Sequence, residues 1–152
     1  MSTNHKKIIF LAGGAGYVGS KFMELALKKN YQVICYDKLV YGKKSLASFY
    51  KKKNFKFFEG DIRDDKSLSS IFKKNKISYV VNLASIVGDK QCNTIPKSAY
   101  DINYNGNKIL YRVSEAYSKN IKKFIYASTC SNYGIVNPNE YINENSVLKP
   151  VS

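Results

Sequence analysis

The chain has 152 residues, of which 25 are Lys or Arg and 11 are Asp or Glu, so its formal charge at pH 7 is +14. This length fits one domain with a substantial core and is short for an ordinary two-domain enzyme. No apolar run approaches the roughly 20 residues that a membrane helix needs, and the N-terminus does not resemble a signal peptide. We therefore expect a cytoplasmic protein with no membrane partner.

The basic charge suggests nucleic acid as one partner class, because clustered cations neutralise phosphates. Only Arg63 and Arg112 are arginines, however, and the lysines are spread along the chain. Recognition surfaces use arginine forks and stacking aromatics in one strip. We expect a generally basic surface and no nucleic-acid partner. Cys35, Cys92 and Cys130 are widely spaced, which favours neither a disulfide framework nor a metal site.

A glycine-rich turn joins the first predicted strand, residues 8–12, to the first predicted helix. Read from Gly14 the turn fits G-x-G-x-x-G, and read from Gly13 it fits G-x-x-G-x-x-G, with Gly16 and Gly19 at the later positions. Such glycines allow a tight turn, close approach of phosphate oxygens and close helix packing. With the free N–H groups of the helix start, the pattern predicts a pyrophosphate site.

The second predicted strand, residues 31–36, ends at an acid. Asp37 stands 18 positions after Gly19, close to the roughly 20 expected for a carboxylate that binds the adenosine ribose hydroxyls. The alternative is a turn residue that merely ends a strand.

The remaining pattern alternates short apolar strands with helices. Helical spacing predicts a short helix at residues 44–53 with Leu46, Phe49 and Tyr50 inward, and Asp64 or Asp65 can cap a later helix. Beyond residue 53 we expect strands at residues 55–59, 77–84 and 123–127, an irregular stretch at 85–96 and a long helix at 97–119.

Five apolar strands alternating with helices predict an α/β fold, a doubly wound parallel sheet of the Rossmann type with helices on both faces. The expected strand order is 3-2-1-4-5, with ligands at the carboxyl ends of the strands. These ends bring together the glycine turn, Asp37, Asp61 with Ile62, the 83–85 segment and the 128–129 segment.

The chain resembles the extended short-chain dehydrogenase/reductases, in particular the NAD-dependent nucleotide-sugar epimerases and dehydratases. The resemblance covers essentially the whole chain. It rests on six ordered motifs, at residues 13–19, 36–39, 60–64, 82–85, 101–106 and 126–134.

The resemblance implies NAD as cofactor, since an acid at the ribose repels the 2′-phosphate of NADP; Lys38 beside it could soften that preference. It assigns cofactor binding to residues in five segments: Gly13, Gly16, Tyr17, Val18, Gly19, Asp37, Lys38, Asp61, Ile62, Leu83, Ala84, Ser85 and Asn103. Without the resemblance, Asn103 would be an exposed helix asparagine.

The resemblance also implies catalysis on a nucleotide-sugar substrate. Thr129, next to Ser128, matches the hydroxyl residue that binds the sugar hydroxyl being oxidised. Its family partners are a tyrosine base and a lysine four residues later that lowers the pKa of that tyrosine. That tyrosine would fall two positions past Ser152, so we expect a single NAD-binding domain at residues 1–152, cut before the tyrosine helix, without the C-terminal sugar-binding domain.

Three further expectations follow from the resemblance. Cys130 and Ser131 stand where the sugar dehydratases carry an Asp-Glu pair, which favours epimerase or simple oxidoreductase chemistry. Asn82 replaces a histidine of many relatives.

The full-length protein is expected to form a homodimer, and this chain alone to expose apolar surface around Ile109 and Val113. A catalytically silent NAD-binding or redox-sensing module is the alternative function.

Overall fold

The computed structural model describes residues 7–137 and 139–150, with residue 89 described by its backbone alone. It contains a parallel sheet in the order β3-β2-β1-β4-β5. The strands are β1 (Ile8–Ala12), β2 (Gln32–Asp37), β3 (Phe55–Glu59), β4 (Ile77–Asn82) and β5 (Lys123–Tyr126). The predicted fold class and strand order are therefore confirmed.

Helices connect the strands and cover the sheet. The α-helices are α1 (Tyr17–Lys28), α2 (Asp65–Lys74), α3 (Asp89–Thr94), α4 (Pro96–Tyr100) and α5 (Asn107–Ala116). A π-helical segment, Asp101–Gly106, joins α4 to α5. Short 3₁₀ turns occupy Lys44–Leu46, Ser118–Asn120 and Cys130–Tyr133.

Both faces of the central strands are buried, as the apolar runs predict for a parallel sheet. Side chains alternate along a strand, so β1 sends Ile9 and Leu11 to one face and Phe10 and Ala12 to the other. The first face packs against α1 and the loop around Leu46. The second packs against α2 and α5, so the core consists of two layers separated by the sheet.

Three local predictions are wrong. Residues 44–53 form one 3₁₀ turn followed by further turns instead of a helix, and Tyr50 is exposed while Leu46 and Phe49 are buried. The Ser45 hydroxyl donates 2.7 Å to the carbonyl of Ala15, so a tertiary contact outweighs helix propensity there. The supposedly irregular stretch 85–96 contains α3, and the supposed long helix is interrupted by the π-helical segment.

The expected apolar exposure lies at other residues than predicted. Val113 is buried against the sheet and Ile109 is partly buried. The exposed large apolar side chains on that side include Tyr104, Tyr111 and, on edge strand β5, Ile125 and Tyr126. Within the described ranges, none of the helices is both long enough and apolar enough to cross a membrane.

Candidate functional site

A crevice opens at the carboxyl ends of β1, β2 and β4, where the strand order reverses between β1 and β4. Ligands of doubly wound sheets bind at such a switch point. The crevice measures about 670 Å³ with its open mouth included. Its lining comes from the turn after β1, the loops after β2 and β3, the segment after β4 and the π-helical segment: Gly13, Ala15, Gly16, Tyr36, Asp37, Lys38, Val40, Tyr41, Gly42, Gly60, Asp61, Ile62, Leu83, Ala84, Ser85, Ile86 and Ile102.

The glycine turn forms the floor of the crevice, and Gly13 is its most constrained position. Its φ of +78° favours glycine, and a Cβ there would lie 2.6 Å from the backbone N of Ala84. A Cβ on Gly19 would overlap the carbonyl of Gly13. The sequence therefore needs glycine at both ends of the turn, at one end for the approach of β4 and at the other for the start of α1.

The first turn of α1 presents free N–H groups beside this floor. Ser20 is the first residue of the helix to donate back, to the carbonyl of Gly16 at 2.9 Å. The backbone N–H groups of Tyr17 and Val18 have no acceptor among the residues that the structure describes. Their side chains are 87% and 61% exposed, so what these two residues offer is backbone. Such a helix start attracts an anion.

Asp37 joins the glycine turn to the loop after β2. One carboxylate oxygen accepts the backbone N–H of Ala15 at 2.9 Å, and the other accepts that of Leu39 at 2.8 Å. Each oxygen keeps acceptor capacity, because a carboxylate has about four lone-pair sites. Asp37 therefore fixes the shape of the crevice and still presents acceptors towards it.

A cluster of four charged side chains borders the neighbouring wall. Arg63 binds Asp61 through two nitrogens, at 2.9 and 2.7 Å, and reaches Asp101 at 2.6 Å. Lys38 lies 2.9 Å from the same carboxylate of Asp61. The hydrogen bond from Arg63 is the largest cause that holds the pKa of Asp61 far below its usual range, and the bond from Lys38 adds to it.

A chain of asparagine amides supports the wall after β4. Asn82 is 1% exposed, donates to the side-chain oxygen of Asn107, and accepts the backbone N–H of Ala84 at 3.1 Å. Asn107 donates 2.6 Å to the carbonyl of Asn103. The side chain of Asn103 in turn bonds both the N–H and the carbonyl of Ile86, each at 2.8 Å. The network therefore fixes the backbone of the lining residues.

The π-helical segment places two members of this network. A π-turn shifts the hydrogen-bond register by one residue, and such segments are often found at functional sites. Here Asn103 lies inside the segment and Asn107 begins α5 directly after it. The side chain of Asn107 reaches the end of β4 and that of Asn103 reaches Ile86 in the segment after it, which the sequence pattern alone did not indicate.

Ser128 and Thr129 lie outside the crevice lining, on an exposed loop after β5. Thr129 caps the following 3₁₀ turn, because its hydroxyl oxygen accepts the N–H of Ser131 at 3.2 Å. The hydroxyl of Ser128 accepts the amide of Asn132 at 2.9 Å. Both hydroxyls keep a proton to donate.

The structure brings nine of the thirteen predicted cofactor residues to the crevice wall: Gly13, Gly16, Asp37, Lys38, Asp61, Ile62, Leu83, Ala84 and Ser85. Gly19 and Asn103 lie behind the wall and support it, and Tyr17 and Val18 contribute the helix start. Sequence reasoning missed Asn107 as a support and eight lining residues: Ala15, Tyr36, Val40, Tyr41, Gly42, Gly60, Ile86 and Ile102. Most of these lie within a few residues of a predicted site residue and could have been included, whereas Ile102 and Asn107 reach the site through tertiary contacts.

Comparison with known proteins assigns the chain to a family. The model of the NAD-dependent epimerase/dehydratase family matches residues 9–152. The chain belongs to this family, as its ordered motifs indicated.

Relatives of this chain are named as a dehydratase and an epimerase. It is 34% identical over 161 residues to dTDP-D-glucose 4,6-dehydratase of Dictyostelium discoideum, covering 95% of the chain and 36% of that protein. It is 35% identical over 130 residues to UDP-glucose 4-epimerase of Halalkalibacterium halodurans, covering 83% of the chain and 36% of that protein. The chain thus spans little more than a third of the length of these relatives.

Solved structures agree with this assignment. UDP-glucose 4-epimerase of Thermotoga maritima, solved with UDP-glucose, superposes with a TM-score of 0.84 at 29% identity, covering 95% of this chain and 45% of that one. The Brucella ovis enzyme of the same name, in complex with NAD, gives a TM-score of 0.82 at 25% identity, covering 95% and 42%.

The residues of the crevice fit the dinucleotide cofactor of this family. Gly13 and Gly16 line the crevice without side chains, and the N–H groups at the start of α1 suit a pyrophosphate. Asp37 presents carboxylate acceptors suited to ribose hydroxyls. The far wall is apolar at Ile62 and Ile86, which suits the flat faces of rings.

Proposed function

We propose that the chain is the NAD-binding region of an enzyme that transiently oxidises a nucleotide sugar, with epimerisation as the favoured reaction. The observation that carries the proposal is Asp37, whose carboxylate lines the crevice while it holds the glycine turn through Ala15. An acid in this position, directly beside a phosphate-binding turn, is the feature that selects a dinucleotide with free ribose hydroxyls.

The roles of the residues follow from their positions. Gly13, Gly16 and the N–H groups of Tyr17 and Val18 would hold the pyrophosphate, with Gly19 allowing the close packing that aims them. Asp37 would bind the adenosine ribose, and Asp61 with Ile62 would border the adenine. Further along the crevice, Leu83, Ala84 and Ser85 would line the nicotinamide side, with Asn103 as their support.

The chemistry that NAD supplies when bound is acceptance of a hydride from a sugar carbon and its later return. This chain would contribute the Thr129 hydroxyl, with Ser128 beside it, as a hydrogen-bond partner for the sugar hydroxyl. Cys130 and Ser131 in place of an acidic pair support epimerisation over dehydration, because elimination of water needs an acid and a base at the sugar.

The rest of the machinery belongs to the part of the relatives that this chain does not span. We propose that residues 1–152 form one NAD-binding domain and that the tyrosine base, its lysine and the sugar-binding domain lie in that further part. The homodimer also stays a prediction, since the tyrosine-bearing helix is one of the elements expected to form its interface.

The experiment is titration of the chain with NAD by calorimetry, followed by two variants. Asp37→Ala should weaken NAD binding by about tenfold or more, because a hydrogen bond to a charged group contributes about 1.5–3 kcal/mol. Thr129→Ala is the matched control and should leave NAD affinity within about twofold, because a surface side chain away from the crevice contributes little. Absence of NAD binding would contradict the proposal.

A catalytically silent NAD-binding module is the second candidate, favoured by the position of Thr129 outside the crevice lining. UDP-glucose and dTDP-glucose, added to the NAD-loaded chain, should give no turnover under either candidate. Turnover by this chain alone would contradict the domain assignment. Conversion of a nucleotide sugar by a protein that includes the further part, but not by its Thr129→Ala variant, would decide against the silent module.

A further inference from the structure

Two residues with opposite preferences stand side by side at the end of β2. A carboxylate at this position favours the free 2′-hydroxyl of NAD, whereas a cation nearby accommodates the 2′-phosphate of NADP. Asp37 supplies the first and Lys38 the second, and both line the crevice. The sequence alone therefore leaves the balance between the two cofactors open.

The structure shows which group the ammonium of Lys38 pairs with. Its Nζ lies 2.9 Å from an oxygen of Asp61, in a pair whose side chains are 53% and 21% exposed. Arg63 holds that carboxylate from the other side through its Nε and a terminal nitrogen, and its backbone N–H donates 3.0 Å to the same group. The carboxylate of Asp61 is thus held in place by Arg63, whereas the side chain of Lys38 is long and flexible and pairs with that carboxylate.

We propose that Asp61 is a selectivity residue that enforces NAD over NADP by keeping Lys38 away from the 2′ position of the adenosine ribose. The proposal rests on the proposed function, since it concerns the same crevice. It assigns to Asp61 a role separate from bordering the adenine, and it makes the aspartate, rather than the lysine, the residue that decides the effect of Lys38.

The charges of the wall support this assignment. The carboxylates of Asp37, Asp61 and Asp101 stand against the cations of Lys38 and Arg63, which leaves one net negative charge beside the site. Arg63 bonds two of these acids and has little capacity for a phosphate. Neutralising Asp61 would leave the wall without net charge and Lys38 without its partner, and both changes favour a 2′-phosphate.

The backbone at Asp61 is held independently of its side chain. The hydroxyl of Tyr36 donates to the carbonyl of Asp61 at 3.0 Å, and the N–H of Asp64 donates to the same carbonyl at 2.9 Å. Asparagine at position 61 keeps an acceptor oxygen for the N–H of Arg63. The variant Asp61→Asn can therefore remove the negative charge of the side chain while the turn keeps its backbone hydrogen bonds.

The test is the ratio of the dissociation constants for NADP and NAD, measured by calorimetry at one fixed ionic strength. The variants are Asp61→Asn, Lys38→Met and the double variant. In Asp61→Asn the ratio should shift towards NADP by about tenfold, as expected for one freed charge near a phosphate. Lys38→Met should change the ratio by less than about twofold in the parent chain and should abolish the shift in the double variant.

The ratio isolates selectivity, because any loss of adenine contacts or of folding affects both cofactors alike. Lys43→Met, an exposed lysine on the same loop that lies outside the crevice lining, is the control for general charge and should leave the ratio unchanged in both backgrounds. If Asp61→Asn perturbs the thermal unfolding transition, Asp61→Ser replaces it and should give the same shift.

Two results would overturn the proposal: an unchanged ratio in a folded Asp61→Asn or Asp61→Ser variant, or a shift that persists in the double variant, which would point to Arg63. Neither bears on the proposed function as long as the parent chain binds NAD. If the parent chain binds neither cofactor, the proposed function itself fails, so the two failures are distinguishable.

Discussion

The crevice and the segment after β5 differ in how their functional groups are fixed. In the crevice, Asp37 accepts the N–H of Ala15, 22 residues away, and Asn103 bonds both backbone groups of Ile86, 17 residues away. In the segment after β5, the hydroxyls of Ser128 and Thr129 are exposed, and their bonds among the described residues are to neighbours within four residues. The crevice lining is thus fixed by side-chain bonds between distant segments, whereas the two hydroxyls after β5 are held by local bonds.

Under the proposed function, this difference follows from how much of its relatives' length the chain spans. The chain spans 36% of the dehydratase and epimerase relatives described above. A substrate site between two domains needs both of them, whereas a phosphate turn at the switch point of a sheet needs only its strands and the start of one helix. The following predictions test whether the two regions are as independent as their contacts indicate.

The largest expected effect comes from a pair of glycines with the same backbone strain, one in each region. Gly13 and Gly134 both have positive φ, and a Cβ on either would overlap the backbone of a distant segment, at Ala84 and Lys149 respectively. Gly13→Ala should lower the free energy of unfolding by about 3 kcal/mol or more, since the sheet core cannot yield. Gly134→Ala should cost about 1–2 kcal/mol, since the segment around Lys149 can move away.

Urea denaturation measures both losses, and NAD titration adds a second reading. Gly42→Ala is the baseline, because Gly42 has a φ of +84° and open space around it. We expect Gly134→Ala and Gly42→Ala to lose similar stability, and Gly134→Ala to retain the NAD affinity of the parent chain. Equal losses for Gly13→Ala and Gly134→Ala would show that the segment after β5 is as rigid as the crevice.

A smaller effect is expected from the asparagines of the two regions. Asn82→Ala removes a fully buried amide and leaves the N–H of Ala84 and the side chain of Asn107 without their partner. We expect a loss of about 2 kcal/mol in the free energy of unfolding. Asn143→Ala removes an exposed amide that accepts the N–H of Asn145 at 2.9 Å, and should cost less than about 0.5 kcal/mol.

Chemical denaturation of the two variants provides the comparison, and Asn82→Asp adds a second reading for the buried site. The aspartate can still accept the N–H of Ala84, but when ionised it cannot donate to Asn107 and it buries a charge, so its loss should exceed that of Asn82→Ala. If Asn82→Ala were as mild as Asn143→Ala, the amide network would not be what fixes the wall after β4.

These residues show what the sequence could and could not predict. The apolar runs and their alternation with helices predicted the sheet order, and the glycine spacing predicted the crevice floor, because both depend on contacts that are local or dictated by topology. The bonds between Asn82 and Asn107, and between Asn103 and Ile86, join positions 25 and 17 residues apart through a π-helical segment. Periodicity does not encode such a register shift, so Asn107 was missed.

The same reasoning explains the outcome at residues 44–53. Leu46 and Phe49 were correctly predicted to be buried, because apolar side chains near a sheet find its core. The helix was not formed, since the Ser45 hydroxyl binds the carbonyl of Ala15 in the glycine turn. The loop that carries Tyr41 and Gly42 to the crevice is thereby tied to the glycine turn at its floor.

The smallest expected effect is on acid stability. The pKa of Asp61 is held well below the ordinary aspartate value of about 3.9 by the guanidinium of Arg63 and by Lys38. A carboxyl whose pKa is lowered by folding stabilises the folded state above its unfolded pKa, and this stabilisation is lost as the pH falls through the folded pKa. The free energy of unfolding of the parent chain should therefore decline below about pH 4.

Asp61→Asn removes this contribution, so the variant should lose less stability than the parent chain between about pH 4 and pH 2, by about 1 kcal/mol, because hydrogen bonds to charged groups carry the effect. Urea denaturation at several pH values gives the two curves. Glu144→Gln, an exposed acid in the segment after β5, is the matched control and should follow the parent curve. Parallel curves for Asp61→Asn and the parent chain would mean that the ion pairs of the crevice wall add no net stability. The wall would then hold Lys38 without contributing to the stability of the fold.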